Sequence, residues 1–163
     1  AHSPLRGNEK HYYRIFAGED ATTVTTTPAQ PGTPFMLNKG EWKELVIANN
    51  TSFMIEGDKP ILPVQYLEGQ NGGAGTGDPA MYQMIPVEQF LDRYAFVTGT
   101  GYSQHYAQII RTAGGAAVTV DGQTVVVTVN AGIDYAFPSP GFPSGVSATA
   151  SAVAVGGVTG ADG

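Results

Sequence analysis

The segment whose residue types best suit ligand binding is the glycine-rich stretch Gly69–Asp78, which contains Asn71 and follows Glu68. Glycines leave backbone N–H groups accessible, and successive N–H groups can cradle a phosphate. The segment lacks the Gly-Lys-Ser/Thr ending of a P-loop, and no helix pattern follows it. The sequence therefore predicts a surface loop carried by a scaffold, which is where ligand-contacting residues concentrate.

Aromatic side chains near this loop extend the candidate ligand site. The chain has 8 tyrosines and 1 tryptophan, and most of these rings are expected to be half-buried strand residues. Tyr82 and Tyr102 lie near predicted loops, where a ring can stack on a sugar or peptide while its hydroxyl stays hydrated. The ligand-contacting residues predicted from the sequence are Glu68, Asn71, Asp78, Tyr82 and Tyr102.

Acidic residues at predicted turns raise two alternatives, a calcium site and a carboxylate-dependent hydrolase. Turn oxygens could bind Ca²⁺, but the sequence has neither an EF-hand nor a nonapeptide calcium repeat. Glu68 and Asp78 are the best pair for glycan hydrolysis, yet they flank a loop and nothing places them in a cleft. Solvated turn acids are the simpler interpretation. No cofactor and no catalytic residue are predicted, and calcium stays an alternative.

The histidine and serine patterns favour neither a metal site nor a nucleophile. His11 and His105 hold equivalent positions in the repeat described below, whereas zinc needs three or four converging ligands. The stretch Gly101–His105 (GYSQH) lacks the second glycine and the strand-to-helix context of a nucleophile elbow. The chain is therefore not expected to be an enzyme.

Composition indicates a folded chain that is rich in short strands. It has 163 residues, of which 42% are hydrophobic and 13% charged, a size that suits one or two domains. The 22 glycines and 11 prolines are typical of strands joined by tight turns. The absence of cysteine excludes disulfides and thiolate zinc sites. The net charge of −6 disfavours nucleic acid and anionic lipid, and no apolar stretch approaches the roughly 20 residues of a membrane span.

The predicted elements are almost all strands. Val87–Tyr94 is the one segment where a helix of one or two turns is allowed, because Pro86 limits it. Asp121-Gly122 predicts a tight hairpin, since a type I′ turn needs positive φ at both positions. The predicted strands are 11–17, 21–27, 35–37, 42–48, 51–56, 61–67, 94–97, 105–111, 116–120, 123–129, 133–137 and 146–155.

An internal similarity divides the chain. His11-Tyr12 recurs as His105-Tyr106, an offset of 105 − 11 = 94, and Val24 matches Val118 at the same offset. These matches predict tandem β-sandwich-like units related by a repeat of about 94 residues. The predicted organisation is a connector at 1–10, a first β unit at 11–92 with the glycine-rich loop at 68–79, a second β unit at 93–155 and a flexible tail at 156–163.

The blocks HYYRIFAGEDATTVT (11–25), DKPILPVQYL (58–67) and GDPAMYQMIPVEQF (77–90) together resemble the IgGFc-binding protein N-terminal domain family. His11–Thr25 (HYYRIFAGEDATTVT) is similar to the family's YYRIvAaeDgTtVt, and Asp58–Leu67 (DKPILPVQYL) to its DKPilvvQYL. Gly77–Phe90 (GDPAMYQMIPVEQF) resembles its GDPammllpPveQf. The blocks occur in the family's order, and the similarity spans roughly residues 4 to 130. The residues from about Gly132 onwards match poorly.

The resemblance implies an extracellular or cell-surface protein for which adhesion is the usual inference. The lack of cysteine favours the bacterial surface or secreted branch over the mucus-associated animal proteins. The implied partner is a protein or glycan on a surface or in mucus or matrix, with no nucleic acid and no membrane insertion, and self-association stays open. The alternative to a binding module is a structural subunit of an extracellular fibre, sheath or matrix.

Overall fold

A computed structural model describes residues 10–48, 53–69, 79–95, 104–112, 116–120, 123–125, 128–130, 133–136 and 147–161. The chain divides into two compact units, Ala1–Met84 and Ile85–Gly163. The boundary between residues 92 and 93 that the sequence indicates stays a prediction.

The first unit contains two antiparallel sheets. The order in the four-stranded sheet is β4-β1-β6-β7, and the order in the three-stranded sheet is β3-β2-β5. The strands are β1 (His11–Ala17), β2 (Thr22–Thr27), β3 (Phe35–Leu37), β4 (Trp42–Ile47), β5 (Met54–Gly57), β6 (Ile61–Leu67) and β7 (Ala80–Gln83).

Alternation along β1 decides which side chains face the core. His11, Tyr13, Ile15 and Ala17 are buried, and the residues between them are only partly buried. This is the period of two that a strand imposes, because successive side chains point to opposite faces. The buried cluster combines residues of both sheets, so the two sheets pack face to face. It consists of Tyr13, Ile15, Val24, Leu45, Ile47 and Phe53, with Phe35, Ile55, Ile61 and Met84 packed against it.

The buried phenol of Tyr13 makes the first unit sensitive to alkali. Burial raises the pKa of Tyr13 well above the ordinary value, so its protonated form is the one that the folded state favours. The contribution of the protonated Tyr13 to stability is fully present below pH about 10, where an unfolded tyrosine is also protonated. Above it, stability is lost with rising pH, by up to about 1.4 kcal/mol per pH unit, because only the unfolded chain releases the proton.

We expect Tyr13→Phe to reduce the decrease in the free energy of unfolding between pH 8 and pH 11. Urea unfolding at pH 8 and near pH 11, on wild type and variant, measures the difference in slope. Equal slopes for the two proteins would show that Tyr13 is not the group responsible, whatever the variant's stability at pH 8.

The second unit is one seven-stranded antiparallel sheet. Its path is β11-β10-β14-β9-β13-β12, and β8 pairs with β14. A single 3-10 turn at Val87–Gln89 precedes β8. The strands are β8 (Leu91–Ala95), β9 (Gln104–Thr112), β10 (Val118–Val120), β11 (Gln123–Val125), β12 (Thr128–Asn130), β13 (Ile133–Ala136) and β14 (Ser147–Ala161). The prediction of an all-β chain is confirmed.

Two segments differ from the sequence-based expectation. The segment allowed as a helix from Val87 to Tyr94 contains only the 3-10 turn before β8 begins at Leu91. Tyr94 joins a strand because β8 finds a partner in β14. The long strand β14 continues past Val155 to Ala161, into the predicted tail, because its backbone pairs with β9 up to Gln104. Ladder hydrogen bonds outweigh the low strand propensity of glycine here.

The internal repeat stays a prediction. Two observations agree with it: β9 pairs with β13 as β1 pairs with β4, and the matching residues Val24 and Val118 are both buried. However, β3 pairs with β2, whereas β12 pairs with β13. The two units thus share a strand sequence in part but differ in sheet arrangement.

Candidate functional site

One surface of the first unit has the features of a binding site: the side of the four-stranded sheet that points away from the core. We call it the outer face. The register places side chains of neighbouring strands in rows across it. Its members alternate with the buried residues of each strand, as the pleat requires. They are Tyr12, Arg14 and Phe16 on β1, Trp42, Glu44 and Val46 on β4, Leu62, Val64 and Tyr66 on β6, and Met81 and Gln83 on β7.

The outer face exposes large apolar side chains. Trp42 is 51% exposed, Val46 45%, Leu62 42% and Met81 65%. Single exposed apolar residues are normal on a protein surface, but a contiguous group of them marks a site of interaction. Four such residues on one sheet face therefore distinguish this surface from the other side chains of the described first unit.

Arg14 lies at the centre of the outer face. Its guanidinium carbon is 5.1 Å from the ring centroid of Trp42 and 5.0 Å from that of Tyr66, within the range of a cation–π contact. Its Nε donates to Oε2 of Glu44 at 2.9 Å. This hydrogen bond raises the pKa of Arg14 above its ordinary value. The guanidinium is therefore charged at every relevant pH and held between two rings.

Glu68 lies at one end of this face, directly after β6. Its Oε1 accepts the hydroxyl of Tyr12 at 2.6 Å, and its Oε2 accepts the backbone N–H of Lys10 at 2.9 Å. The hydrogen bond to Glu68 is the largest cause that raises the pKa of Tyr12, because the carboxylate accepts from the protonated phenol. Of the residues predicted to contact a ligand, Glu68 is the one that the structure places beside the outer face.

Tyr82 lies on the opposite side of the sheet from Glu68. Its hydroxyl donates to Oε1 of Gln65, and Nε2 of Gln65 shares a 3.0 Å hydrogen bond with Nδ1 of His11. Both His11 and Gln65 are fully buried, so this chain of polar groups belongs to the interior of the unit. The structure therefore does not bring Tyr82 and Glu68 together.

The other predicted site residues, Asn71, Asp78 and Tyr102, lie outside the described residues, so their roles stay predictions. Within the described part of the chain, no group of three or more histidine, aspartate or glutamate side chains is placed to hold a metal ion. The described residues also include no helix with the length and hydropathy that a membrane crossing requires.

The acidic residues of the turns bond to the backbone of strand β2 and of neighbouring turns. Oδ1 of Asp58 accepts the N–H of Thr23 at 2.7 Å, and the N–H of Asp58 donates to the carbonyl of Thr23 at 3.1 Å. Lys59 Nζ donates to the carbonyl of Asp20 at 2.5 Å, and the N–H of Gly18 donates to the carbonyl of Pro60 at 2.9 Å. The Asp-Lys-Pro motif thus ties the β5–β6 turn to the β1–β2 turn.

A second set of bonds ties the β3–β4 turn to the same place. Asp20 Oδ1 accepts the N–H of Lys39 at 3.0 Å, and Asn38 Oδ1 accepts the N–H of Ala21 at 3.3 Å. Ala21 has a φ of 51°, a left-handed conformation that is uncommon without a supporting contact. We refer to these three connected turns as the turn clasp. Its carboxylates serve the fold, which is the common role of aspartate and asparagine at turns.

We expect Asp58→Ala to lower the free energy of unfolding by about 0.5–1.5 kcal/mol, because the N–H of Thr23 loses its carboxylate acceptor at an exposed position where water can partly replace it. Glu56→Ala is the matched control, since Glu56 is exposed and its bond to Thr27 is long, at 3.4 Å. The control should lose less than about 0.5 kcal/mol. Urea titration measures both, and equal losses would contradict the structural role of Asp58.

Sequence reasoning missed the outer face. Ligand-contacting tyrosines are predicted near loops, whereas Tyr12 and Tyr66 lie on the central strands β1 and β6. The available signal is the period of two of a strand, which puts Tyr12, Arg14 and Phe16 of HYYRIFA on one face, although the residue types do not show which face is buried. That signal shows one strand of the face, but the register with β4 and β6 is needed to bring Trp42 and Tyr66 around Arg14.

Comparison with known proteins gives one result. A search of curated proteins and a search of solved structures give no match. The family model described as IgGFc binding protein matches residues 1–154, which is most of the 163-residue chain. The match includes both the turn clasp and the strands of the outer face. The chain therefore belongs to the IgGFc-binding protein family.

Proposed function

We propose that this protein is an extracellular or cell-surface binding module, that it acts in adhesion, and that it has no catalytic activity. The observation that carries the proposal is the outer face, where exposed apolar residues surround a fixed Arg14. Such a surface favours association, because a bound partner removes its apolar atoms from water and this burial stabilises the complex.

Family membership supports an extracellular role and a protein ligand. The hydrolase alternative, which pairs Glu68 with Asp78, gains no support from Glu68, the one of the two that the structure describes. Glu68 is engaged by Tyr12 and by the backbone of Lys10, and a general acid or base needs access to a substrate proton. A glycan ligand and a bacterial surface location stay within the proposal as alternatives to be tested.

A structural subunit of a fibre, sheath or matrix is the second candidate. One observation favours it: β4 and β7 are the edge strands of the four-stranded sheet, and edge strands can pair with another chain. Static light scattering over a wide concentration range separates the two functions. A chain that stays monomeric when concentrated would contradict the fibre.

The binding function is tested with the purified chain on a sensor surface. The probes are an immunoglobulin G Fc fragment, a mucin preparation and a neutral glycan array, each with and without Ca²⁺. Saturable binding of any probe supports the proposal. Absence of binding to all of them, by a chain whose circular dichroism shows folded β structure, would overturn it.

A further inference from the structure

We propose that the outer face is the docking surface of the module and that its partner is a folded protein with an apolar patch bordered by basic side chains. This inference rests on the proposed binding function and adds the surface and the chemistry of the partner. The residue types on the face, the fixed geometry of Arg14, the charge of the chain and the size of the face support it.

The residue types on the outer face are those of protein interfaces. Trp, Tyr, Arg and Met are enriched in the cores of such interfaces and among the residues that dominate binding. Trp42, Tyr66, Arg14 and Met81 all lie here. A saccharide could stack on a ring, but Val46 and Leu62 offer it no hydrogen bond, whereas a protein partner would bury both.

The geometry of Arg14 favours a rigid contact. A free arginine side chain loses rotamer freedom when a partner immobilises it, which weakens binding. Here the rings of Trp42 and Tyr66 lie 5.1 Å and 5.0 Å from the guanidinium carbon, and Glu44 bonds to Nε. The planar group is therefore in place before a partner arrives.

The charges point to a basic rim on the partner. On the face itself Glu44 offsets the positive charge of Arg14, and Lys10 adjoins Glu68 at its end, so the acidic charge that a partner meets is that of the surrounding chain. The whole chain has a net charge of −6. Complementary potentials guide association and reject like-charged partners. A second copy of this acidic chain is therefore a poorer occupant than a protein with lysine or arginine around its apolar patch.

The size of the face also disfavours a permanent dimer of this chain. Four strands spaced about 4.8 Å apart cover about 19 Å, and the seven residues of β1 extend over about 23 Å at about 3.3 Å per residue. The flat footprint of the face is thus roughly 440 Å², which is small beside the roughly 800 Å² of accessible surface that each partner buries in a stable interface. An area this small fits a weak, reversible contact better than a permanent dimer of the chain.

The test compares variants of the full chain with the Fc fragment as the protein probe. Trp42→Ala should raise the dissociation constant about tenfold, because it removes a large exposed ring and one of the two rings that hold Arg14. Met81→Ser should raise it several-fold. Met36→Ser is the matched control, because Met36 and Met81 are both 65% exposed and Met36 lies on β3 in the other sheet. The control should bind as wild type does. Higher salt should weaken wild-type binding.

Each contrary result overturns a different part of the inference. Fc binding that survives Trp42→Ala and Met81→Ser would move the site off the outer face while leaving the binding function standing. Binding that does not weaken with salt would remove the basic rim. Loss of glycan binding in Trp42→Ala, without Fc binding by wild type, would make the partner a saccharide. Dimerisation abolished by Trp42→Ala would make it a second copy. No binding to any probe would overturn both the inference and the proposed function.

Discussion

Replacing Phe53 with alanine is expected to lower the free energy of unfolding by about 3–5 kcal/mol. Phe53 is fully buried in the core of the first unit, and its ring meets that of Tyr13 edge-on, with centroids 5.2 Å apart and planes at 71°. The substitution removes a large apolar group and this ring contact, and it leaves a cavity. The loss is comparable to the whole stability of many small domains.

Phe16→Ala is the matched control for this prediction. Phe16 is also in the first unit, but it lies on the outer face, partly exposed, with its ring 6.1 Å from that of Trp42. Its replacement should cost less than half as much, because it leaves no enclosed cavity. Chemical denaturation of both variants gives the comparison. If Phe16→Ala were the more damaging change, the assignment of core and outer face would be reversed.

The second large effect is expected at Gly57, the last residue of β5. A Cβ atom built there would lie 2.6 Å from the carbonyl oxygen of Lys59 and 2.7 Å from Cγ2 of Ile61. The first of these atoms belongs to the backbone, so the turn itself must move to admit an alanine. Gly57→Ala should therefore lower the free energy of unfolding by about 1–3 kcal/mol, the range for overpacked sites.

Gly18→Ala provides the graded comparison. Its Cβ would lie 3.2 Å from the carbonyl oxygen of Pro60, in the same turn clasp but with more room. The expected order of stability is wild type, then Gly18→Ala, then Gly57→Ala. Thermal and urea unfolding of the three proteins establish the order. An inverted order would mean that the clasp accommodates a side chain at Gly57, contrary to the geometry described.

Several strands of the first unit could be predicted from residue type, because aromatic and β-branched residues favour extended backbone. HYYRIFA forms β1 with the predicted bounds, and so do FML in β3 and ILPVQYL in β6. The segment AMYQ, by contrast, is not among the predicted strands. It forms β7 because Val64–Leu67 offers it a partner, and a pairing over such a distance leaves no local pattern.

The candidate site was predictable only in part, for a similar reason. Glu68 is predicted to contact a ligand from its position beside a glycine-rich segment; its hydrogen bond to Tyr12 lies at the end of the outer face, and its contact with a ligand stays a prediction. The stacking of Arg14 between Trp42 and Tyr66 depends on three strands that are separate in the sequence. Residue types alone could not show which of the rings would converge. The register between strands carries that information.

The division of labour between the turn clasp and the outer face has an evolutionary consequence. One motif of the family resemblance, Asp58-Lys59-Pro60, holds turns together, whereas Trp42 and Val46 are exposed side chains that the core does not require and that lie outside the three blocks resembling the family. A lineage can substitute such exposed positions to acquire a new partner while keeping the clasp, so that shared ancestry in this family need not imply a shared ligand.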